Sequence, residues 1–289
     1  MRTERCLLGA VALLVVASAA RGEEFQGVDS AANWLSRRGS MLLADAKADT
    51  YGHTLDCIAG AGFRQVRERL TWDALNPAKG KFTLDRFLAD ARAYERRGVR
   101  VDWIFHSAPK WTRVKDSLPI DLMALYDFCR TVAAAVPTGT DWEYWNEEDI
   151  GFCKASAWDY AATAKVAYLG FKAGRRDCRA LMGALCKSVD GAYNEALFAN
   201  GLGFYTDVFN YHIYAPPARY EGILSAIRRF CGEQGVGGRA VWITENGTHQ
   251  EGSAPRDGVM PGLRAHSPAQ ELVHAEFAVK SQVMLISMR

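Results

Sequence analysis

Seven short β-rich runs, each followed by a segment of helical period and joined to the next by a short connection, predict an α/β chain of the TIM (β/α)8-barrel type. A doubly wound open sheet shares that alternation, but it usually carries a glycine-rich phosphate turn, and none is present. No eighth unit can be read before Arg289. The barrel is therefore expected to be truncated before its eighth strand, with two strand edges left unpaired.

Residues 1–22 read as a secretory signal peptide. Arg2 and Arg5 precede the unbroken apolar run Cys6–Ala20, which ends in the small residues Ala17, Ser18, Ala19 and Ala20. The run falls short of the roughly 20 apolar residues that a spanning helix needs. Residues 23–289 are then one barrel domain, bound for secretion or the periplasm. A first strand lies within Gln26–Lys47, and Asp49–Ala61 reads as a helix. Phe63–Leu70 is a strand, Leu84–Arg97 a helix stopped by Gly98, and Val99–Phe105 a strand. Leu122–Val136 is a helix ended by Pro137, Asp141–Trp145 a strand, Ala157–Arg175 a helix and Ala180–Leu185 a strand. Ala192–Ala199 is a helix, Val208–Tyr214 a strand, Tyr220–Cys231 a helix, Ala240–Thr244 a strand and Pro268–Met288 a helix.

With 49% hydrophobic residues the chain can bury one large core. It holds 35 Lys and Arg against 33 Asp and Glu, and the leader contains Arg2, Arg5 and Arg21 but only one acid, Glu4, so the remainder is neutral. That balance argues against a basic groove for nucleic acid and against a polybasic membrane patch. Outside the leader, Cys57, Cys129, Cys153, Cys178, Cys186 and Cys231 show no zinc spacing; an oxidising compartment permits disulfides without fixing a pairing. The histidines have neither H-x-H nor H-x-x-x-H spacing, which weighs against a metal-dependent barrel hydrolase.

In a barrel of this type, catalytic groups project from the C-terminal ends of the strands. The fourth predicted strand runs Trp142-Glu143-Tyr144-Trp145 into Asn146-Glu147-Glu148-Asp149, and the seventh runs Val241-Trp242-Ile243-Thr244 into Glu245-Asn246-Gly247. Taken singly, an acidic triplet at a helix entrance is accounted for by capping and the helix dipole, and a strand-end Glu by a salt bridge. Together they place carboxyls on strands that face each other across a barrel. Cleaving a glycosidic bond with retention needs two carboxyls about 5–5.5 Å apart, one attacking the anomeric carbon and one passing a proton to the leaving oxygen.

The run Trp142-Glu143-Tyr144-Trp145-Asn146-Glu147 resembles the W-E-x-W-N-E segment of the large retaining glycoside hydrolase clan, clan A. That clan includes family 39 xylosidases, family 5 endoglucanases and mannanases, and family 42 galactosidases. The resemblance implies that Glu147 is the general acid/base, that Glu245 is the nucleophile and that Asn146 hydrogen-bonds the sugar 2-hydroxyl. Phe63-Arg64-Gln65-Val66-Arg67 is similar to the clan's second strand, which implies that Arg67 lies beneath the nucleophile and keeps it ionised. Asn210-Tyr211-His212-Ile213-Tyr214 resembles the clan's His-x-Tyr pair, implying Tyr214 against Glu245 and His212 near the acid/base or the substrate. Trp111, in the similar stretch Pro109-Lys110-Trp111, is expected among the cleft aromatics on which a sugar stacks.

The implied activity is retaining hydrolysis of a β-linked oligo- or polysaccharide without metal or cofactor; the alternative is a non-catalytic carbohydrate-binding barrel. Two features depart from the clan. Glu148 stands where proline is common, and is expected either to repel the acid/base or to face solvent. The aromatic of the clan's eighth strand has no counterpart. Asn246-Gly247-Thr248 spells a glycosylation sequon, read here as an accident of the strand-end turn.

Overall fold

The computed structural model describes residues 15–16, 25–29, 50–136, 140–247 and 268–288. In chain order its strands are β1 (Val15–Val16), β2 (Phe25–Asp29), β3 (Gln65–Arg69), β4 (Arg100–Phe105), the hairpin pair β5 (Val114–Lys115) and β6 (Leu118–Pro119), β7 (Thr140–Tyr144), β8 (Ala180–Met182), β9 (Val208–Ile213) and β10 (Ala240–Asn246). The helices are α1 (Thr50–Gly60), α2 (Trp72–Leu75), α3 (Asp85–Glu95), α4 (Leu122–Ala135), α5 (Ala157–Gly174), α6 (Ala192–Ala199), α7 (Tyr220–Glu233) and α8 (Pro268–Ser287).

β2, β3, β4, β7, β8, β9 and β10 pair in parallel in that order and curl into a barrel with helices between them. This is a TIM-type barrel lacking an eighth parallel strand among the described residues. The two edges expected to be unpaired are instead bridged. Val15 of β1 pairs antiparallel with Ile243 of β10 and with Gln26 of β2, and Val16 pairs with Phe25. Open strand edges present unsatisfied N–H and C=O groups that pair with any available backbone. Here that backbone comes from the apolar run read as a leader.

Helix limits have local causes. The Asp121 side chain accepts the Ala124 N–H at 3.0 Å to cap α4, and Ser156 accepts the Asp159 N–H at 3.2 Å to cap α5. After α3 the chain turns through Gly98 at φ 66°, a conformation glycine adopts without steric cost. α4 buries Leu125, Phe128, Cys129 and Val132, an i, i+3, i+4, i+7 stripe facing the barrel. None of the six cysteines between Cys57 and Cys231 forms a disulfide.

The barrel lumen is unusually polar. β4 separates β3 from β7, so Gln65 and Arg67 can reach Asp141 and Glu143 only through the interior. They do so, with Gln65 Nε2 3.3 Å from Asp141 and Arg67 Nε 2.8 Å from Glu143. Burial, then the nearby Glu143 and Asp141, push the carboxyl of Asp102 well above the usual range, so that it enters this layer as a neutral acid. Beside this layer, Leu181, Val208 and Trp242 form a small apolar cluster, and Arg179, which bonds Asp141 at 2.9 Å, sets its guanidinium 4.5 Å from the Trp242 ring centre.

Candidate active site

The C-terminal ends of β3, β7, β9 and β10 supply the convergent groups. Period-two alternation puts Gln65, Arg67 and Arg69 on the lumen side of β3, and Asn210 and His212 on the lumen side of β9. On β10 plain alternation would not suffice. Thr244 already faces the lumen, accepting from Asn210 Nδ2 at 3.2 Å, so its neighbour Glu245 should point away. A register shift between Ile243 and Glu245 resets the phase and turns Glu245 inward as well, opposite His212.

At the end of β7 the backbone itself does the aiming. Trp145 (φ 79°) and Glu147 (φ 45°) both occupy the left-handed region, which costs non-glycine residues about 1–3 kcal/mol each and persists only when the surroundings enforce it. The enforcing contacts are visible. Trp145 N–H donates to Phe105 O at 2.9 Å, and its indole donates to Phe152 O at 3.1 Å. Asn146 Oδ1 accepts from Arg67 at 2.8 Å, and Asp149 accepts the N–H groups of Cys186 and Lys187 at 3.1 and 2.8 Å.

Glu147 and Glu245 meet across the opening. A carboxylate oxygen of each and a ring nitrogen of His212 all lie within 4.8 Å of one another. His212 Nδ1 is 2.8 Å from Glu147 Oε1, and its Nε2 is 3.8 Å from Glu245 Oε1. Arg67 is wholly buried: it grips Glu143 with a two-pronged contact, bonds Glu245 Oε1, and lies 3.5 Å from Asp29. Arg69 pairs with Asp29 and reaches Glu245 Oε1 at 3.3 Å, and the Tyr214 hydroxyl donates to Glu245 Oε2.

Burial alone would raise the Glu245 pKa. Arg67, His212, Arg69 and the Tyr214 hydroxyl together overturn that effect and bring it down from the ordinary 4.5 to about 2. Glu245 is thus ionised across the whole physiological range. Burial and then the Glu245 charge push the Tyr214 phenol up, so it remains a donor.

Glu148 takes neither of its two expected places. It is 1% exposed, and burial drives its carboxyl well above the usual range. Being neutral, it does not repel Glu147, and it does not face solvent. Its carboxyl packs against Gly183, where an added Cβ would stand 2.2 Å from Glu148 Oε2 and 3.0 Å from the Trp145 carbonyl carbon. Gly183→Ala is therefore expected to cost about 1–3 kcal/mol by overpacking and to disturb the Glu147 turn. Urea denaturation measures it; a change below about 0.5 kcal/mol would show that this packing does not brace the turn.

A cleft of about 780 Å3 opens over the carboxyl pair. Asn146, Glu147, Tyr214 and Glu245 line it together with Arg69, Thr71, Asp73, His106, Ser107 and Phe152. Burial, then Arg69 and Arg67, lower the His106 pKa, which favours its neutral form.

Trp111 does not line this cleft. Its indole N–H is committed to Asn76 O at 3.0 Å and its ring sits edge-on to Trp72 at 6.3 Å, because a half-buried indole needs a partner for its donor. The exposed aromatics in the cleft are Tyr214 and Phe152, and Phe152 sits on a loop with no sequence signal. Asp29 and His106 were findable, since each stands at or just past a strand end, and Arg69 lies two residues beyond Arg67 on the same face. Asn246 is fully buried in β10, which closes that side chain to glycosylation in the folded protein; Thr248 of the sequon lies outside the described residues.

No protein-family model and no curated protein sequence matches the chain. Solved structures do. A family 39 glycoside hydrolase from the gut symbiont Bacteroides cellulosilyticus WH2 superposes with a TM-score of 0.64 at 17% identity, over 82% of this chain and 51% of that one. An exo-β-1,4-mannosidase from Opitutaceae bacterium strain TAV5 gives 0.53 at 18% identity, over 80% and 47%. Xylanase 10B from Thermotoga maritima gives 0.52 at 14% identity, over 70% and 67%. The chain thus spans about half the length of the first two of these structures. At such low identity the likeness concerns architecture, and in architecture this chain has the (β/α)-barrel fold of the clan A glycoside hydrolases.

Proposed function

We propose that this protein is a retaining glycoside hydrolase acting on a β-linked oligo- or polysaccharide, with Glu245 as nucleophile and Glu147 as general acid/base. The observation that carries the reading is the approach of their carboxylate oxygens to within 4.8 Å, at nearest atoms. That spacing suits direct attack by one carboxylate and is too tight for the 6.5–9.5 Å an inverting pair needs to seat a water between them. The neighbouring folds include an exo-β-1,4-mannosidase and xylanases, which supports a sugar substrate of this kind.

In the first step Glu245, held ionised by Arg67 and oriented by Tyr214, bonds to the anomeric carbon while Glu147 gives its proton to the departing oxygen. In the second, Glu147 takes a proton from water, whose oxygen attacks the same carbon and frees Glu245. Two inversions leave the anomeric configuration unchanged. Asn146, fixed by Arg67 at the cleft floor, is placed to meet the sugar 2-hydroxyl, and His212 joins the two carboxyls. A panel of aryl β-glycosides and polysaccharides, with the first product followed by NMR, is expected to show the β-anomer appearing first. Early α-anomer would overturn the double displacement.

A non-catalytic sugar-binding barrel is the second reading, favoured by the seam between β10 and β2, which among the described residues is bridged by the two residues of β1 alone. The same panel separates the two, since binding without turnover supports the second. The cleavable-leader proposal bears on this seam, because removing residues 1–22 would also remove β1. Mass spectrometry of the exported protein reads the new N-terminus.

A further inference from the structure

We propose that Phe152 is a specificity-determining residue on the leaving-group side of the cleft, its ring forming the flat face against which a departing pyranose stacks. The substrate class is then a β-linked chain whose leaving group is itself a sugar ring, rather than a glycoside of a small alcohol. This deepens the hydrolase reading and rests on it, because a leaving-group side exists only where a bond is cut.

Phe152 is an exposed apolar ring held in place. It is 46% exposed, yet its carbonyl accepts from the Trp145 indole at 3.1 Å, and the next residue, Cys153, is buried. Its ring stands nearly perpendicular to that of His106, with centres 5.7 Å apart and planes at 84°. A single exposed apolar residue on a convex surface needs no explanation, but one anchored inside a cleft offers a ligand a dry face. Among the described residues lining the cleft, only Leu70 and Phe152 have wholly apolar side chains, and Leu70 is half-buried. A pyranose matches that division, with hydroxyl groups round its rim for the polar walls and carbon-bound hydrogens on its faces for the ring.

Connectivity gives the side. The cleft has two exposed aromatics, and each is tied to one carboxyl. Tyr214 donates its hydroxyl to Glu245. Phe152 follows Glu147 by one turn, closed by the Ile150 N–H on Glu147 O at 3.1 Å, and Trp145 holds the far end of that turn through the Phe152 carbonyl. The nucleophile must reach the anomeric carbon from the face opposite the departing oxygen, whereas the acid must touch that oxygen. The ring carried by the Glu147 loop therefore borders the leaving group, and the ring bound to Glu245 borders the sugar under attack.

The test compares two leaving groups on one glycone. Cellotriose, xylotriose and mannotriose each lose a sugar on cleavage; the β-fluoride of the same glycone loses fluoride, which has no ring to stack. In Phe152→Ala, kcat/KM for whichever trisaccharide the wild-type protein cleaves should fall about 10-fold further than kcat/KM for the matching fluoride. Phe152→Tyr, which keeps the flat ring, should restore the ratio, and Phe152→Leu, which keeps apolar bulk alone, should not. All three substitutions retain the backbone carbonyl that anchors the loop. Equal losses on the two substrates would show that the side chain merely supports the Glu147 turn, and no loss on either would show that nothing stacks there; both results overturn the proposal. Should the wild-type protein cleave none of these compounds, the hydrolase reading fails, and calorimetry with the same trisaccharides decides the platform. Phe152→Ala should then weaken binding about 10-fold, and unchanged affinity, or no binding by the wild-type protein, overturns it.

Discussion

Glu245→Gln is expected to lower kcat/KM by about four to six orders of magnitude on any glycoside the wild-type protein cleaves, as loss of a nucleophile does elsewhere. The amide keeps the shape of the side chain but cannot bond to the anomeric carbon, and its NH2 group meets either the Arg67 guanidinium or the Tyr214 hydroxyl. A smaller truncation is more informative still. Glu245→Gly leaves a space that azide can enter from the nucleophile's face, and the product should be the α-glycosyl azide. Glu147→Gly opens the opposite side, and azide should there yield the β-glycosyl azide from the preserved glycosyl-enzyme. Swapped products would exchange the two roles, and wild-type-like rates in Glu245→Gln would end the assignment.

Arg67→Met is expected to destabilise the fold by about 3–5 kcal/mol, read from the urea midpoint, because it leaves Glu143 buried without its guanidinium partner and Glu245 with Arg69 alone. A loss below about 1 kcal/mol would mean that water or rearrangement replaces it. The pH profile supplies a second readout. Since the folded Glu245 titrates below its unfolded value, its stabilising contribution is present above about pH 4.5 and is lost as pH falls through about 2. Arg67 is the largest of the influences that oppose burial there. In Arg67→Met the acid limb of kcat/KM should accordingly move to higher pH, while Arg67→Lys, a point charge without the planar fork, should fall between.

Much of this architecture is legible along the chain because local rules and tertiary outcome agree. Leu122–Ala135 is helical where an apolar period of 3.6 follows a capping Asp121, and α3 stops where Gly98 supplies a left-handed turn. The strand ends carrying Glu147, Glu245, Arg67 and His212-Ile213-Tyr214 are marked by apolar runs that break into polar residues, which in a soluble barrel happens where the sheet opens onto its cleft. Trp111 shows the limit of that logic. Nothing in its neighbourhood tells that Asn76 O will claim the indole, since that contact joins residues on separate connections. Phe152 is invisible for the matching reason: a loop residue becomes a cleft wall only through where the loop folds back.

The sequence by itself determined the order of the seven parallel strands, the acids at the ends of β7 and β10 and the arginine of β3, because each is written in short-range periodicity and turn chemistry. The tertiary structure alone decided which side chains face each other. The register shift before Glu245, the left-handed turns at Trp145 and Glu147, the neutral burial of Glu148 and the bridging of the seam by Val15–Val16 all depend on packing between distant segments. Contacts of that kind are set by how the whole barrel curls, which no local stretch of chain contains.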